Sequence, residues 1–257
     1  MRIHLFEIED FKEYPSFLRE LQTDYLRKLM NIFNVYQSII PLFNGLIKTS
    51  SSSTIIDFCS GGGGSWMKIL PQLESTEIKV MLTDLYPNTT AFRELQKKHP
   101  NSIEYTANPV NALSPPVNLK GIRTFFNSFH HFTESEARDI LRSTVANKDV
   151  IAIFEPMEKS LLQWILNTIS TLLLTFFITP FISPFRWDRI IFTYLIPIVP
   201  LVTTFDGWVS ILRLHTPESM MEMTRELNEE YEWQTGKASH RFGKVTYLMG
   251  RPKKKAE

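Results

Sequence analysis

The sequence predicts an α/β protein with a doubly wound, mainly parallel sheet, helices on both faces and a closing antiparallel hairpin. Three observations lead there. Five short runs, at 54–58, 79–83, 103–106, 122–127 and 150–154, are rich in β-branched and aromatic residues. Stretches between them, 90–98 and 134–146, are compatible with helices, and strand alternating with helix is the pattern of a parallel sheet covered on both sides. Two further strand-like runs, 232–236 and 244–250, are separated only by KASHRF, which predicts the hairpin.

Ahead of the first strand, Pro15 is suited to the first turn of a helix, and Leu18, Leu21, Tyr25, Leu29 and Phe33 follow at near-helical spacing. A second apolar segment, 36–47, runs into the polar linker KTSSSS. Residues 1–50 are thus expected to be N-terminal helices, and 51–157 with 206–251 the α/β domain. Between those two parts, 158–205 reads as an apolar helical insertion: no residue from 160 to 185 is charged, nor any from 190 to 205. A helix over 216–230 opens with TPES, a capping sequence. The tail RPKKKAE reads as a solvated end.

Composition narrows the function. The 257 residues carry 28 Lys and Arg against 27 Asp and Glu, a balance that gives no footprint for nucleic acid. One cysteine, Cys59, excludes an intramolecular disulfide framework and any multi-cysteine metal centre, and fits a reducing compartment. The start, MRIHLFEIEDFKE, lacks the apolar stretch of a cleavable signal peptide. No His, Cys, Asp or Glu cluster has metal-ligand spacing in the sequence, so no metal is expected.

The most informative stretch is IIDFCSGGGGSW, four consecutive glycines behind the first strand. A phosphate-binding P-loop would need Gly-Lys-Ser/Thr where Trp66 and Met67 stand. Those two large residues also occupy the place of the third small residue in a dinucleotide fingerprint, where close helix–strand packing is required. What remains is Asp57 at the strand end, then small residues at 59, 61 and 63, which let backbone approach a ligand. The helix expected after the loop would aim free N–H groups at it. Asp84 ends the second strand in LTDLYPN, 21 residues past Gly63, where a carboxylate can accept both hydroxyls of a ribose.

IIDFCSGGGG, LTDLYPN and FFNSFHHF together resemble three motifs of the class I S-adenosylmethionine-dependent methyltransferases, over roughly residues 50–156. The resemblance implies a Rossmann-like sheet and S-adenosylmethionine as cofactor. It implies cofactor contacts from Asp57, Cys59, Ser60, Gly61, Gly63, Asp84, Leu85, Asn111, Ala112 and Asn127. Asp57 would orient the glycine loop or meet the amino group of the methionine moiety, Gly61 and Gly63 would pass under that moiety, and Asp84 would hold the ribose. Two positions depart from the family: Cys59 replaces the usual first glycine, and Asn111 stands where an Asp near the adenine is common. An amide still offers the adenine edge a donor and an acceptor.

Methyl transfer needs an aligned nucleophile, and a general base where the acceptor loses a proton. His130 and His131 follow the fourth strand at the carboxyl edge of the sheet, where open α/β folds bind ligands, and Glu155 ends the fifth strand at the same edge. These three are the catalytic candidates. Each also has a plain structural alternative, as a helix cap, a pocket wall or an ion-pair partner. The insertion contains a run long enough to cross a bilayer, interrupted by Pro180 and Pro184, followed by one broken by Pro197 and Pro200. Strands on either side of it join one sheet, so crossings must be even in number, and two crossings would carry Arg186 and Arg189 outward against the positive-inside rule. The expectation is a re-entrant or in-plane hairpin on the cytoplasmic side of a membrane, ahead of two spans or a lid over a greasy pocket. The expected partner is a small or lipid-like acceptor. The rival readings are a cofactor-binding protein of this fold without catalysis and a membrane-anchored interaction module.

Overall fold

In the computed structural model, residues 2–227, 229 and 231–253 are described. The last four residues of the basic tail, and Asn228 and Glu230 in the helix expected over 216–230, lie outside them. Seven strands form one sheet: β1 (Thr54–Phe58), β2 (Lys79–Leu82), β3 (Ile103–Tyr105), β4 (Ile122–Phe126), β5 (Ile151–Glu155), β6 (Tyr231–His240) and β7 (Gly243–Pro252). Their order is β3-β2-β1-β4-β5-β7-β6; β1 to β5 are parallel, and β7 enters antiparallel between β5 and β6. The hairpin is longer than its sequence signal. KASH continues β6 and only Arg241 and Phe242 make the connection, because the ladder extends pairing out to His240 and Gly243.

Buried β-branched and aromatic residues explain why these runs are strands. Ile55 and Ile56 face opposite sides of the sheet, each into its own core cluster, and β5 is buried along its whole length. One face is covered by α2 (Ile40–Thr49), α3 (Trp66–Ile69) and α4 (Thr89–Lys98), the other by α5 (Glu134–Ala146) and, after the insertion, α9 (Pro217–Thr224). Helix starts are fixed locally: the Asn88 side chain accepts the Ala91 N–H, and Thr133 with Glu136 forms a reciprocal capping box. The chain runs outward from β1 to β3, then returns to lay β4 beside β1. Asp57 is thereby set level with Thr124 at the point where the winding reverses, and a crevice opens there.

The N-terminal helix α1 (Ser16–Phe33) begins just after Pro15, and its apolar face meets the insertion. Leu18 and Leu21 pack on Val199, and Tyr25 packs on Ile178 and Ile182. The insertion consists of α6 (Leu161–Ile178), α7 (Trp187–Ile190) running into a π-turn, and α8 (Ile198–Arg213), which is bent 74° from the α7 segment. α6 and α8 lie together, with Trp164 stacked on Trp208 at 5.0 Å and the Trp208 indole donating to Thr168 at 2.7 Å. The boundary expected at 205/206 falls inside α8, because this pairing carries the helix on to Arg213.

The link between α6 and α8 is tied back to α1. Arg189 Nη2 lies 2.5 Å from Asp24 and Arg186 Nη1 2.8 Å from Glu20. The segment that follows α6 is therefore held against α1. The stretch 161–181 is long and apolar enough to cross a membrane, yet is only 17% buried. Leu162, Leu166, Ile169, Leu173 and Phe177 form one exposed face at spacings of three and four.

Candidate functional site

At the end of β1 the backbone turns left-handed at Cys59, Gly61, Gly63 and Gly64, with φ of 53°, 55°, 86° and 49°. Such a run is tolerable only where side chains are absent or small. Asp57, 2% exposed, holds the loop from beneath: Ser60 Oγ and Trp66 Nε1 donate to one oxygen at 2.8 and 2.9 Å, and Thr124 Oγ1 donates to the other at 2.9 Å. Trp66, the residue that spoils a dinucleotide fingerprint, is thus a buried partner of the loop's own anchor. Of the two roles open to Asp57, this geometry favours orienting the loop. The loop presses on α1, where a Cβ at Gly62 would meet the Thr23 carbonyl oxygen at 2.7 Å, and Asn31 Nδ2 donates to Gly64 O at 3.0 Å.

Above the loop lies a cleft of about 340 Å³. Of the expected cofactor residues, Cys59, Ser60, Gly61, Asp84, Leu85, Asn111 and Asn127 line it; Asp57, Gly63 and Ala112 do not. Gly63 packs inward, where a Cβ would meet Leu95 at 3.1 Å, and Ala112 is buried in the core under the cleft. Asp84 accepts the Gly61 N–H at 2.7 Å on one oxygen and the Tyr86 N–H at 2.8 Å on the other. Each oxygen keeps a further lone pair for a ligand hydroxyl. α3 is a single turn, so the helix expected to aim N–H groups at the ligand is too short for that task. α1 supplies the opposite wall through Arg19, Thr23, Arg27 and Met30, none of them marked out by sequence spacing.

A second chamber, of about 290 Å³, adjoins the cleft, and Glu9, Leu26, Met30 and Asn127 line both. Its walls come from α1, α6 and α8, with His240 at the end of β6 and Phe242 of the β6–β7 connection closing one side. His130, 1% exposed, borders this chamber and not the cleft. Its Nδ1 pairs with Glu155 Oε2 at 2.9 Å, and its backbone N–H donates to the other Glu155 oxygen at 3.1 Å. His131 borders the cleft instead, with Nδ1 2.8 Å from Asp10 and 3.6 Å from Glu7, and Nε2 3.6 Å from Glu9. Glu7, Glu9 and Asp10 enter from the N-terminal segment, whose part the sequence did not reveal.

Solved structures share this architecture. The plantazolicin methyltransferase BpumL, in complex with a pentazolic desmethylPZN analog and SAH, matches with a TM-score of 0.53 at 10% identity, over 92% of this chain and 98% of that one. OxaC, in complex with SAH and oxaline, matches at 0.52 with 11% identity, over 84% of this chain and 47% of that one. An O-methyltransferase family protein from Burkholderia thailandensis matches at 0.50 with 15% identity, over 88% of this chain and 58% of that one. The chain has the class I methyltransferase fold. It spans little more than half of the Burkholderia protein and less than half of OxaC. No protein-family profile and no curated protein matches the sequence.

Within this methyltransferase fold, the cleft fits the cofactor that the sequence resemblance implies. Asn127 Oδ1 and Ser128 Oγ, on residues lining the cleft, are buried without a hydrogen-bond partner, which suits a polar ligand there. Burial pushes the Asp57 carboxyl up to about 6 against its three hydrogen bonds. Burial likewise raises Asp84, opposed by the N–H groups of Tyr86 and Gly61.

The two histidines differ in surroundings. Burial alone would lower the pKa of His131, but the Glu7 charge, the Asp10 hydrogen bond and Glu9 outweigh it and push it up to about 10. An imidazolium cannot accept a proton at neutral pH, so His131 is a poor base. Glu7, His130 and His131 bring ligand atoms within 4.8 Å of one another, a cluster invisible to spacing in sequence. Arg213 Nη1 already stands 3.0 Å from Glu7 and 2.7 Å from Asp10, supplying positive charge there, and we assign no metal.

His131 should also mark the pH profile of stability. A histidine with a raised folded-state pKa stabilises fully below its unfolded value, near 6.5, and loses that contribution as pH rises toward about 10. Urea melts of the wild type should therefore show stability falling between pH 7 and 10, with His131→Asn flatter over that window. Parallel curves for the two proteins would contradict the ion-pair assignment.

Proposed function

We propose that this protein transfers a methyl group from S-adenosylmethionine to a lipophilic acceptor held in the chamber between α1, α6 and α8. One observation carries the reading: the glycine-loop cleft and an apolar chamber meet at Asn127 and Glu9, with a histidine–glutamate pair on the chamber side of the junction. When bound, S-adenosylmethionine supplies an electrophilic methyl group on a sulfonium. Gly61 and Asp84 would hold the cofactor, with Asp84 accepting the ribose hydroxyls. His130 takes the proton that the acceptor atom gives up, through Nε2, the nitrogen Glu155 does not hold. Glu155 fixes the ring orientation and stabilises the imidazolium formed.

Asp84→Ala should weaken S-adenosylmethionine binding by about 1.5–3 kcal/mol, the range for hydrogen bonds to a charged group. Calorimetric titration of the folded variant reads this directly. An unchanged dissociation constant removes the ribose assignment. Wild-type protein that binds the cofactor but releases no S-adenosylhomocysteine with any amphiphile points instead to a binding protein of this fold.

The insertion is read here as an in-plane membrane anchor. The exposed face of α6, continued by Phe181, Phe185, Trp187 and Leu195, has the chemistry of a surface that rests in lipid. The pairing of Arg186 and Arg189 with α1 favours an element lying along the domain over one that leaves it to span. A lipid-like acceptor would then pass from the bilayer into the adjacent chamber.

A further inference from the structure

We infer that the chamber selects an amphiphile whose polar end is a protonated amine and rejects carboxylates and phosphates. This rests on the methyltransferase reading and names the acceptor class for it. Among the described residues, no Lys or Arg lines the chamber, whereas two acids do: Asp206, and Glu9, which burial and the neighbouring acids push up to about 8. Asp206, 4% exposed, is met by neutral donors: the backbone N–H groups of Ile8 at 2.7 Å and Glu9 at 3.3 Å, and Gln22 Nε2 at 3.2 Å. That last bond fixes the amide of Gln22, since its nitrogen must face the carboxylate. Oε1 is consequently the free atom, and it is buried without a partner in a side chain only 1% exposed.

Around Asp206 and Gln22 the chamber therefore offers acceptors, and a group seated there must bring donors; the unpartnered Asn167 Nδ2 on α6 is a donor on another wall. A buried carboxylate without a cation is costly, and an ammonium would relieve that cost while donating to Asp206 and Gln22. Cations nearby are engaged elsewhere. Arg213 faces Glu7 and Asp10, Arg19 donates to the carbonyls of Glu9 and Phe11, and His131 is shared among Glu7, Glu9 and Asp10. The remaining wall includes Leu26, Leu29, Met30, Phe33 and Leu174, which suits an alkyl chain. Transfer to the amine requires its lone pair. The ammonium proton passes to His130 Nε2, the nitrogen pair forms the new N–C bond, and the electrons of the breaking S–C bond remain on sulfur as a neutral thioether.

The test uses the full chain saturated with S-adenosylhomocysteine and four probes of equal chain length below their micelle concentrations: dodecylamine, dodecanol, dodecanoate and dodecyl phosphate. Binding is read by calorimetry. Dodecylamine should bind about ten- to a hundredfold tighter than dodecanol, the worth of a charge-assisted hydrogen bond, and the two anions more weakly still. Asp206→Asn should erase most of the preference for amine. Because Asp206 also anchors the N-terminal segment, Glu9→Gln serves as a second variant and should reduce the preference too. Anions binding as tightly as the amine would overturn the inference, as would an undiminished amine preference in both variants. A chain that fails to bind S-adenosylhomocysteine in the first step overturns the methyltransferase reading itself, a separate result.

Discussion

His130→Ala should lower turnover by about 10²–10⁴-fold, the usual contribution of a positioned general base, while cofactor affinity stays close to wild type. The two effects separate because His130 borders the chamber and not the cleft. Glu155→Gln should fall between wild type and His130→Ala. An amide can still contact Nδ1, but it does not balance the imidazolium that forms when Nε2 takes the proton. His131→Ala should leave most of the turnover intact, since His131 is already protonated at neutral pH and is committed to the carboxylates around it. Turnover at the wild-type level in His130→Ala, measured as S-adenosylhomocysteine released with a fixed acceptor, would remove His130 as the base. A collapse of cofactor binding in the same variant would make its role structural.

The parallel strands were legible because each is a short buried run bounded by turn residues, and β1 ends where its residue pattern ends. Asp84 was legible for a comparable reason: its position depends only on the β1–loop–β2 geometry, which a stretch of about thirty residues encodes locally. Positions that depend on distant packing were not. Gly63 reads like Gly61 in sequence, yet faces Leu95, because α4 fills the space beneath the loop. His130 and His131 are neighbours, and only the fold gives one Glu155 at 2.9 Å with Glu7 at 3.8 Å and the other Glu7, Glu9 and Asp10. Glu7, Glu9 and Asp206 carry no spacing signal at all. Residues 8 and 9 meet position 206, and Glu7 meets Ser210, because the N-terminal segment crosses α8, a contact between chain segments nearly two hundred residues apart. The apolar composition of the insertion was plain, but its burial pattern was not: Thr171, Thr175 and Thr179 face inward while leucines face out.

That inverted pattern carries the second large effect. On vesicles of neutral phosphatidylcholine the wild-type chain should sediment with the lipid, and 1 M salt should not release it. Burial of apolar surface is insensitive to screening, and a net charge of +1 contributes little attraction. Replacing Leu166 and Leu173 together with Glu should reduce partitioning by about a hundredfold or more. Each loses on the order of 1.5 kcal/mol of side-chain burial before any cost of placing a carboxylate in lipid. Both positions are more than half exposed, so the folded domain should tolerate the change and still bind S-adenosylmethionine. Equal sedimentation of the double variant would rule out the α6 face as the lipid contact. A wild-type chain that stays in the supernatant would replace the anchor with a lid over the chamber. A span is disfavoured on energetic grounds. The 18 residues of α6 reach about 27 Å, nearly a bilayer core, but crossing it would pull Arg186 and Arg189 away from Glu20 and Asp24. Breaking the buried Arg189–Asp24 pair would leave Asp24 to Arg27 alone, at 3.1 Å, and would strip Arg189 of its carboxylate partner. Lying in the interface keeps that pair intact and still places the leucines of α6 in hydrocarbon.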